Sequence, residues 1–111
     1  MGNKSMRIAT ALVASAIVLL LSIGAQPQTP QAERGQALAQ ANCARCHAIG
    51  LTGESPLPKA PPFRTLHRRY PVENLAEAFA EGIKVAHPMP EFRLQPGQIE
   101  DLIAYLKSLE R

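Results

Sequence analysis

Five consecutive residues, Cys43-Ala44-Arg45-Cys46-His47, concentrate the reactive chemistry of this chain, and both of its cysteines fall among them. Two residues between the thiols put both sulfurs on one side of a single helical turn. From there each can form a thioether to one vinyl group on a haem edge, and the imidazole that follows directly is placed to ligate the iron. Other chemistries fit less well. A thioredoxin-like dithiol needs a surrounding βαβ pattern, which the chain lacks. A disulfide across two residues closes a very small loop and leaves His47 without a role. A zinc site could draw on Cys43, Cys46, His47 and either His67 or His87, but no second paired-ligand motif supplies the other half. The motif therefore predicts one covalently bound haem c, with Cys43 and Cys46 as its thioether donors and His47 as an axial ligand to iron.

An iron held by His47 has a sixth position to fill. Of the 3 methionines, Met1 and Met6 lie in an N-terminal segment set apart from the fold, which leaves Met89. Pro88 and Pro90 flank it; proline fixes φ and blocks helix formation, so an extended loop is expected against the haem face. A thioether sulfur is a soft, neutral donor that favours reduced iron and raises its potential. A lone methionine is more often core packing, but the flanking prolines and the expected haem favour ligation. The rivals are His87 two residues away, His67 within a basic stretch, and a five-coordinate iron with an open site. The second ring nitrogen of His47 needs an acceptor to fix its tautomer. A backbone carbonyl of Ala60-Pro61-Pro62 is the candidate, with Pro61 and Pro62 as pocket residues and the choice between them open. No Ser-His-Asp arrangement, no paired carboxylates near a nucleophile and no phosphate-binding loop are present, so no catalytic residue is expected.

These groups need elements to hold them. Residues 1–25 read as a targeting segment: Lys4 and Arg7, then an apolar run from Ile8 to Leu21, then the small-residue stretch Ser22-Ile23-Gly24-Ala25. The uncharged stretch from Ile8 also approaches the length of a membrane anchor, so either a cleaved signal peptide or a retained anchor fits, and both place the remainder outside the cytoplasm. Residues 26–32 read as a polar, proline-bearing linker, and 33–111 as the folded domain. A first helix is expected from Ala32 or Glu33 to about Asn42, with Leu38 and Ala41 as its main apolar contacts. Gly35 costs that helix about 1 kcal/mol relative to Ala, which close approach of another helix would justify. Residues 48–69 are rich in Gly and Pro and read as loop, with a short helical turn from Phe63 to Arg68.

Pro71 suits the start of the next helix, which carries Val72, Leu75, Ala76 and Phe79 on one face and Gly82 at its C-terminal cap. Pro96 opens the last helix, where Ile99, Leu102, Ile103, Leu106 and Leu109 repeat at 3–4 spacing with Tyr105 beside them. Glu100 and Asp101 lie toward its positive end and Lys107 and Arg111 toward its negative end. No segment alternates with period 2, so the fold class is all-α. Phe63, Tyr70, Phe79, Phe92 and Tyr105 are the aromatics, of which Phe79 and Phe92 are expected near the haem or in the core.

About 86 residues follow the targeting segment, enough for one small domain whose core is marginal without a cofactor to complete it. The formal charge of +3 shrinks once Lys4 and Arg7 are set aside, leaving 10 basic and 9 acidic residues. Two ionised propionates would bring the total to about −1. Nothing in this balance argues for nucleic acid. Arg64, His67, Arg68 and Arg69 form the one basic cluster, a solvated loop or a patch for an acidic redox partner or a propionate.

Taken together, the chain resembles the class I mono-haem c-type cytochromes of the bacterial periplasm. The matching stretches are Gly35-Gln36-Ala37-Leu38, Asn42 to His47, Ala60-Pro61-Pro62-Phe63, Glu81-Gly82-Ile83, His87 to Phe92, and Asp101 to Leu106. The resemblance implies a cytochrome c fold, about three to four helices around one haem, with the N-terminal helix packed across the C-terminal one and Gly35 and Tyr105 at the crossing. It implies an exposed haem edge, redox protein partners, a monomer, and one-electron transfer in a periplasmic or respiratory chain. The chain would then be an electron carrier rather than an enzyme, or a dedicated haem subunit of a dehydrogenase or oxidase complex; a haem enzyme or ligand-binding sensor with an open iron site is the third reading. Two features depart from the family pattern. The segment between His87-Pro88 and Met89-Pro90 is one residue shorter than is common there, and Gln95 stands where a better helix cap, Ser, Thr or Asp, is usual. Replacing Cys43 and Cys46 by Ala is expected to abolish haem that stays on the polypeptide in a denaturing gel; haem retained there would contradict the attachment.

Overall fold

The computed structural model describes residues 27–83 and 89–111. Expectations for residues 1–26 and for His87 and Pro88 lie outside that range. The described residues form three α-helices and two 3₁₀ segments, with no strand among them. Helix α1 spans Pro30–Asn42, α2 spans Leu75–Glu81 and α3 spans Pro96–Ser108; 3₁₀ turns occupy Phe63–Arg68 and Val72–Asn74. The all-α expectation holds, and the short turn from Phe63 to Arg68 is where the sequence places it.

Helix α1 begins at Pro30, earlier than Ala32 or Glu33. The reason is its cap. Thr29 is extended, and its hydroxyl accepts the Ala32 N–H at 3.2 Å, while Pro30 fills the first helical position without wasting a donor. The side chains α1 buries are small: Ala32, Gly35 and Ala39, one face of the helix. That face lies against α3. A Cβ on Gly35 would collide with the Asp101 carbonyl and come within 2.8 Å of the Tyr105 Cβ, so only glycine permits this approach of backbone to backbone. Leu38 and Ala41, expected as the main apolar contacts of α1, point elsewhere.

Helix α3 buries Ile99, Leu102, Tyr105 and Leu106. Tyr105, placed beside the apolar stripe by its spacing, is instead at its centre, 1% exposed, because it stands over Gly35. Its hydroxyl donates to the Ile49 carbonyl at 2.6 Å. The start of α3 is better secured than Gln95 suggests, since the Gln95 N–H donates to the Gln98 side chain at 2.9 Å, the reverse half of a capping box. Asp101 does not simply complement the helix dipole. It accepts two hydrogen bonds from Arg34 on α1, at 2.9 and 2.8 Å, a fork-to-fork pair across the crossing.

Between the helices, α2 supplies Phe79 to the core and ends at Gly82, whose φ of +97° suits glycine. Lys107 of α3 pairs with Glu73 at 2.6 Å. Phe63, Leu66, Val72 and Leu109 complete the buried cluster with the side chains already named. Gly35→Ala adds a methyl group where there is no room. It should destabilise the haem-loaded protein by about 1–3 kcal/mol, because overpacking outweighs the gain of about 1 kcal/mol in helix propensity; a lower denaturant midpoint checks this.

Candidate functional site

The chain leaves α1 through a tight turn. The Cys43 N–H donates to the Ala39 carbonyl at 2.8 Å, and the Cys46 and His47 N–H groups both donate to the Cys43 carbonyl, at 3.2 and 3.0 Å. This local winding brings Cys43, Cys46 and His47 to the wall of one cavity of about 520 Å³. Both thiols are free and partly buried. Burial pushes the Cys43 thiol up to about 11, so it stays protonated at neutral pH. A dithiol exchange site needs the opposite, a stabilised thiolate. Among the described residues no three His, Cys, Asp or Glu side chains converge as a metal-holding group.

The loop after His47 folds back to orient its ring. The Leu57 N–H donates to the Cys46 carbonyl at 3.1 Å, the Phe63 N–H to the Ala48 carbonyl at 2.9 Å, and the Ala48 N–H to the Ser55 hydroxyl at 3.0 Å. These bonds bring Pro61 over the imidazole, where its carbonyl lies 2.8 Å from His47 Nδ1. A carbonyl only accepts, so in this contact Nδ1 is the donor, which leaves Nε2 as the nitrogen that faces away from Pro61. The choice the sequence left open goes to Pro61. Pro62 does not line the cavity; its carbonyl is taken by the Thr65 N–H at 3.0 Å and the Thr65 hydroxyl at 2.8 Å. The Phe63 ring stacks at a tilt on the imidazole, with centroids 5.0 Å apart and planes at 47°.

Met89 lines the same cavity and is partly buried. His67 does not line it, and His87 lies outside the described residues. Phe79 and Phe92 both line it, as expected. The structure also places there Leu38 and Ala41 of α1, Ile83 and Leu94 beside the Met89 segment, and Leu102 and Leu106 of α3. Leu38 and Ala41 therefore face the cavity, and Leu38 also packs against the buried cluster. The sequence signal was present, two apolar residues three apart on α1, but its target was not. The basic cluster divides. Arg69 reaches the cavity wall, while Arg64 donates instead to the Gly53 carbonyl at 2.7 Å.

The donor set and the lining fit a haem. Two thiols are available for covalent attachment, an imidazole nitrogen and a thioether sulfur are suited to iron, and the walls are largely aliphatic and aromatic. The charged side chains among the lining residues, Arg45, Lys59 and Arg69, are all cationic, which suits a flat apolar group that carries carboxylates.

Comparison with known proteins points the same way. The family model described as cytochrome c matches residues 32–110. A protein of Synechocystis sp. described as "Cytochrome c-553-like" is 35% identical over 78 residues, which span 70% of this chain and 69% of that one. No solved structure matches significantly.

Proposed function

This chain belongs to the cytochrome c family, a family of haem-based electron carriers with covalently bound haem c, and we propose that it carries single electrons with His47 and Met89 as the two axial ligands of the iron. When bound, the haem supplies a one-electron couple between ferrous and ferric iron. The polypeptide does the rest. Cys43 and Cys46 hold the group covalently. The Pro61 carbonyl fixes the His47 tautomer so that Nε2 can donate, and makes the imidazole a stronger base. Met89 offers a soft, neutral sulfur, which favours the reduced state. Leu102, Leu106 and Phe79 keep water from the cavity, and low polarity there disfavours added charge on the oxidised centre. Arg45, Lys59 and Arg69 would supply positive charge at the cavity wall to offset the propionates.

The observation that carries this reading is the convergence of Cys43, Cys46, His47 and Met89 on a single cavity, with the His47 ring already oriented from behind by Pro61. What favours Met89 over His67 is that only Met89 lines that cavity. We further propose that the carrier acts in a periplasmic or respiratory redox chain, as a monomer with protein redox partners, and that residues 1–25 direct its export as a signal peptide or membrane tether.

Met89→Ala is expected to abolish the ferric methionine–iron charge-transfer band and to let the reduced protein bind carbon monoxide quickly. The potential should fall by at least about 100 mV, a modest part of the range of about 0.8 V that axial ligands span. An unchanged band in Met89→Ala would refute the ligand assignment.

A further inference from the structure

Met89 reaches the cavity on a segment with no regular structure, and the residues that follow it show how that segment is held. Three hydrogen bonds tie it to the C-terminal end of α2. The Leu94 N–H donates to the Phe79 carbonyl at 3.0 Å, and the Ile83 N–H donates to the Phe92 carbonyl at 3.2 Å. The third comes from a side chain: Arg93 Nη2 donates to the Glu81 carbonyl at 2.9 Å. The carbonyls of Phe79 and Glu81 are among the last four of the helix, which have no partner within it. A cation there also complements the negative end of the helix dipole.

Gly82 shapes the same corner. It turns the chain at positive φ, and the Glu91 side chain occupies the space beside it: a Cβ on Gly82 would collide with the Glu91 carboxylate and lie 3.3 Å from its Cγ. Glu91 is thereby laid alongside the end of α2. Arg93 Nη2 stands 3.9 Å from Glu91 Oε1, so one guanidinium spans the end of α2 and the residue two beyond Met89. Two main-chain bonds and one side chain, Arg93, thus join the segment to the end of α2.

We propose that Arg93 is a positioning residue for Met89: by bridging the Glu81 carbonyl and Glu91 it keeps the thioether at the iron, and its loss lets the sulfur leave more often. This rests on the reading of Met89 as an axial ligand. Both partners are well exposed, with Arg93 67% and Glu91 50% accessible, so the tie is modest and its removal leaves the fold intact.

The test uses ferric, haem-loaded protein and saturating exogenous imidazole, whose binding is then limited by release of the methionine sulfur. Arg93→Gln should raise that limiting rate about fivefold. Arg93→Lys, which keeps a cationic donor, should restore most of the original rate, and Arg111→Gln, an equal loss of charge remote from this corner, should leave it unchanged. The global unfolding midpoint, measured in parallel, should move little in Arg93→Gln. An unchanged limiting rate in Arg93→Gln, equal acceleration by Arg111→Gln, or acceleration matched by an equal loss of global stability would each overturn the proposal. Absence of the methionine–iron band from the unsubstituted protein would instead overturn the ligand reading and the proposal with it, and it is seen before any variant is compared.

Discussion

Helices α1 and α3 meet backbone to backbone at Gly35, and the loop that carries the Cys43–His47 turn is tied to that contact. The missing side chain lets the Asp101 carbonyl and Tyr105 close over α1. Tyr105 then extends its hydroxyl to the Ile49 carbonyl, two residues beyond His47, so the same residue that fills the crossing also anchors the loop leaving the Cys43–His47 turn. Arg34 and Asp101 hold the crossing from its solvent side. Because both partners of that pair keep contact with water, its value lies in orientation more than in stability. Beside this contact, side chains of both helices line a volume of about 520 Å³ that the core residues do not fill.

That volume explains the uneven distribution of side chains. A domain of this size has only a marginal core of its own, and a share of the larger apolar side chains faces the cavity instead of other protein. Leu38, Phe92, Ile83 and Leu94 are only partly buried in the polypeptide alone. They read as an incomplete core until a flat apolar group is set among them. The charged residues on the same wall, Arg45, Lys59 and Arg69, all carry positive charge in a chain that is otherwise near neutral.

The residues that were legible from sequence are those whose chemistry is local. Cys43, Cys46 and His47 lie within one turn, so their spacing alone states their geometry. Ile99, Leu102 and Leu106 repeat at the helical period because α3 packs through large side chains. Met89 stood out through its prolines. Helix α1 was harder for the opposite reason: its packing face is Ala32, Gly35 and Ala39, which leaves almost no hydrophobic pattern, and its visible apolar residues serve the cavity. Pro61 could not be separated from Pro62, because the deciding atom is a main-chain carbonyl, whose direction no side chain announces. The same holds for the start of α1, set by a Thr29 hydroxyl, and for Gln95, whose amide is partnered by a residue three positions later. Arg93 was invisible because its role is to meet a carbonyl at the end of another helix.

The pairing of Arg34 with Asp101, 67 positions apart, has a kinetic consequence. Contacts between segments far apart in the chain must be reached by closing a long loop before they return any free energy, and that slows folding. Among the described residues, the first helix is clasped by the last one. A growing polypeptide can wind α1 and its attachment turn soon after they appear, yet neither has anything to rest on until α3 has been added. Until α3 is in place, the Ile49 carbonyl behind the Cys43–His47 turn lacks the Tyr105 hydroxyl that holds it.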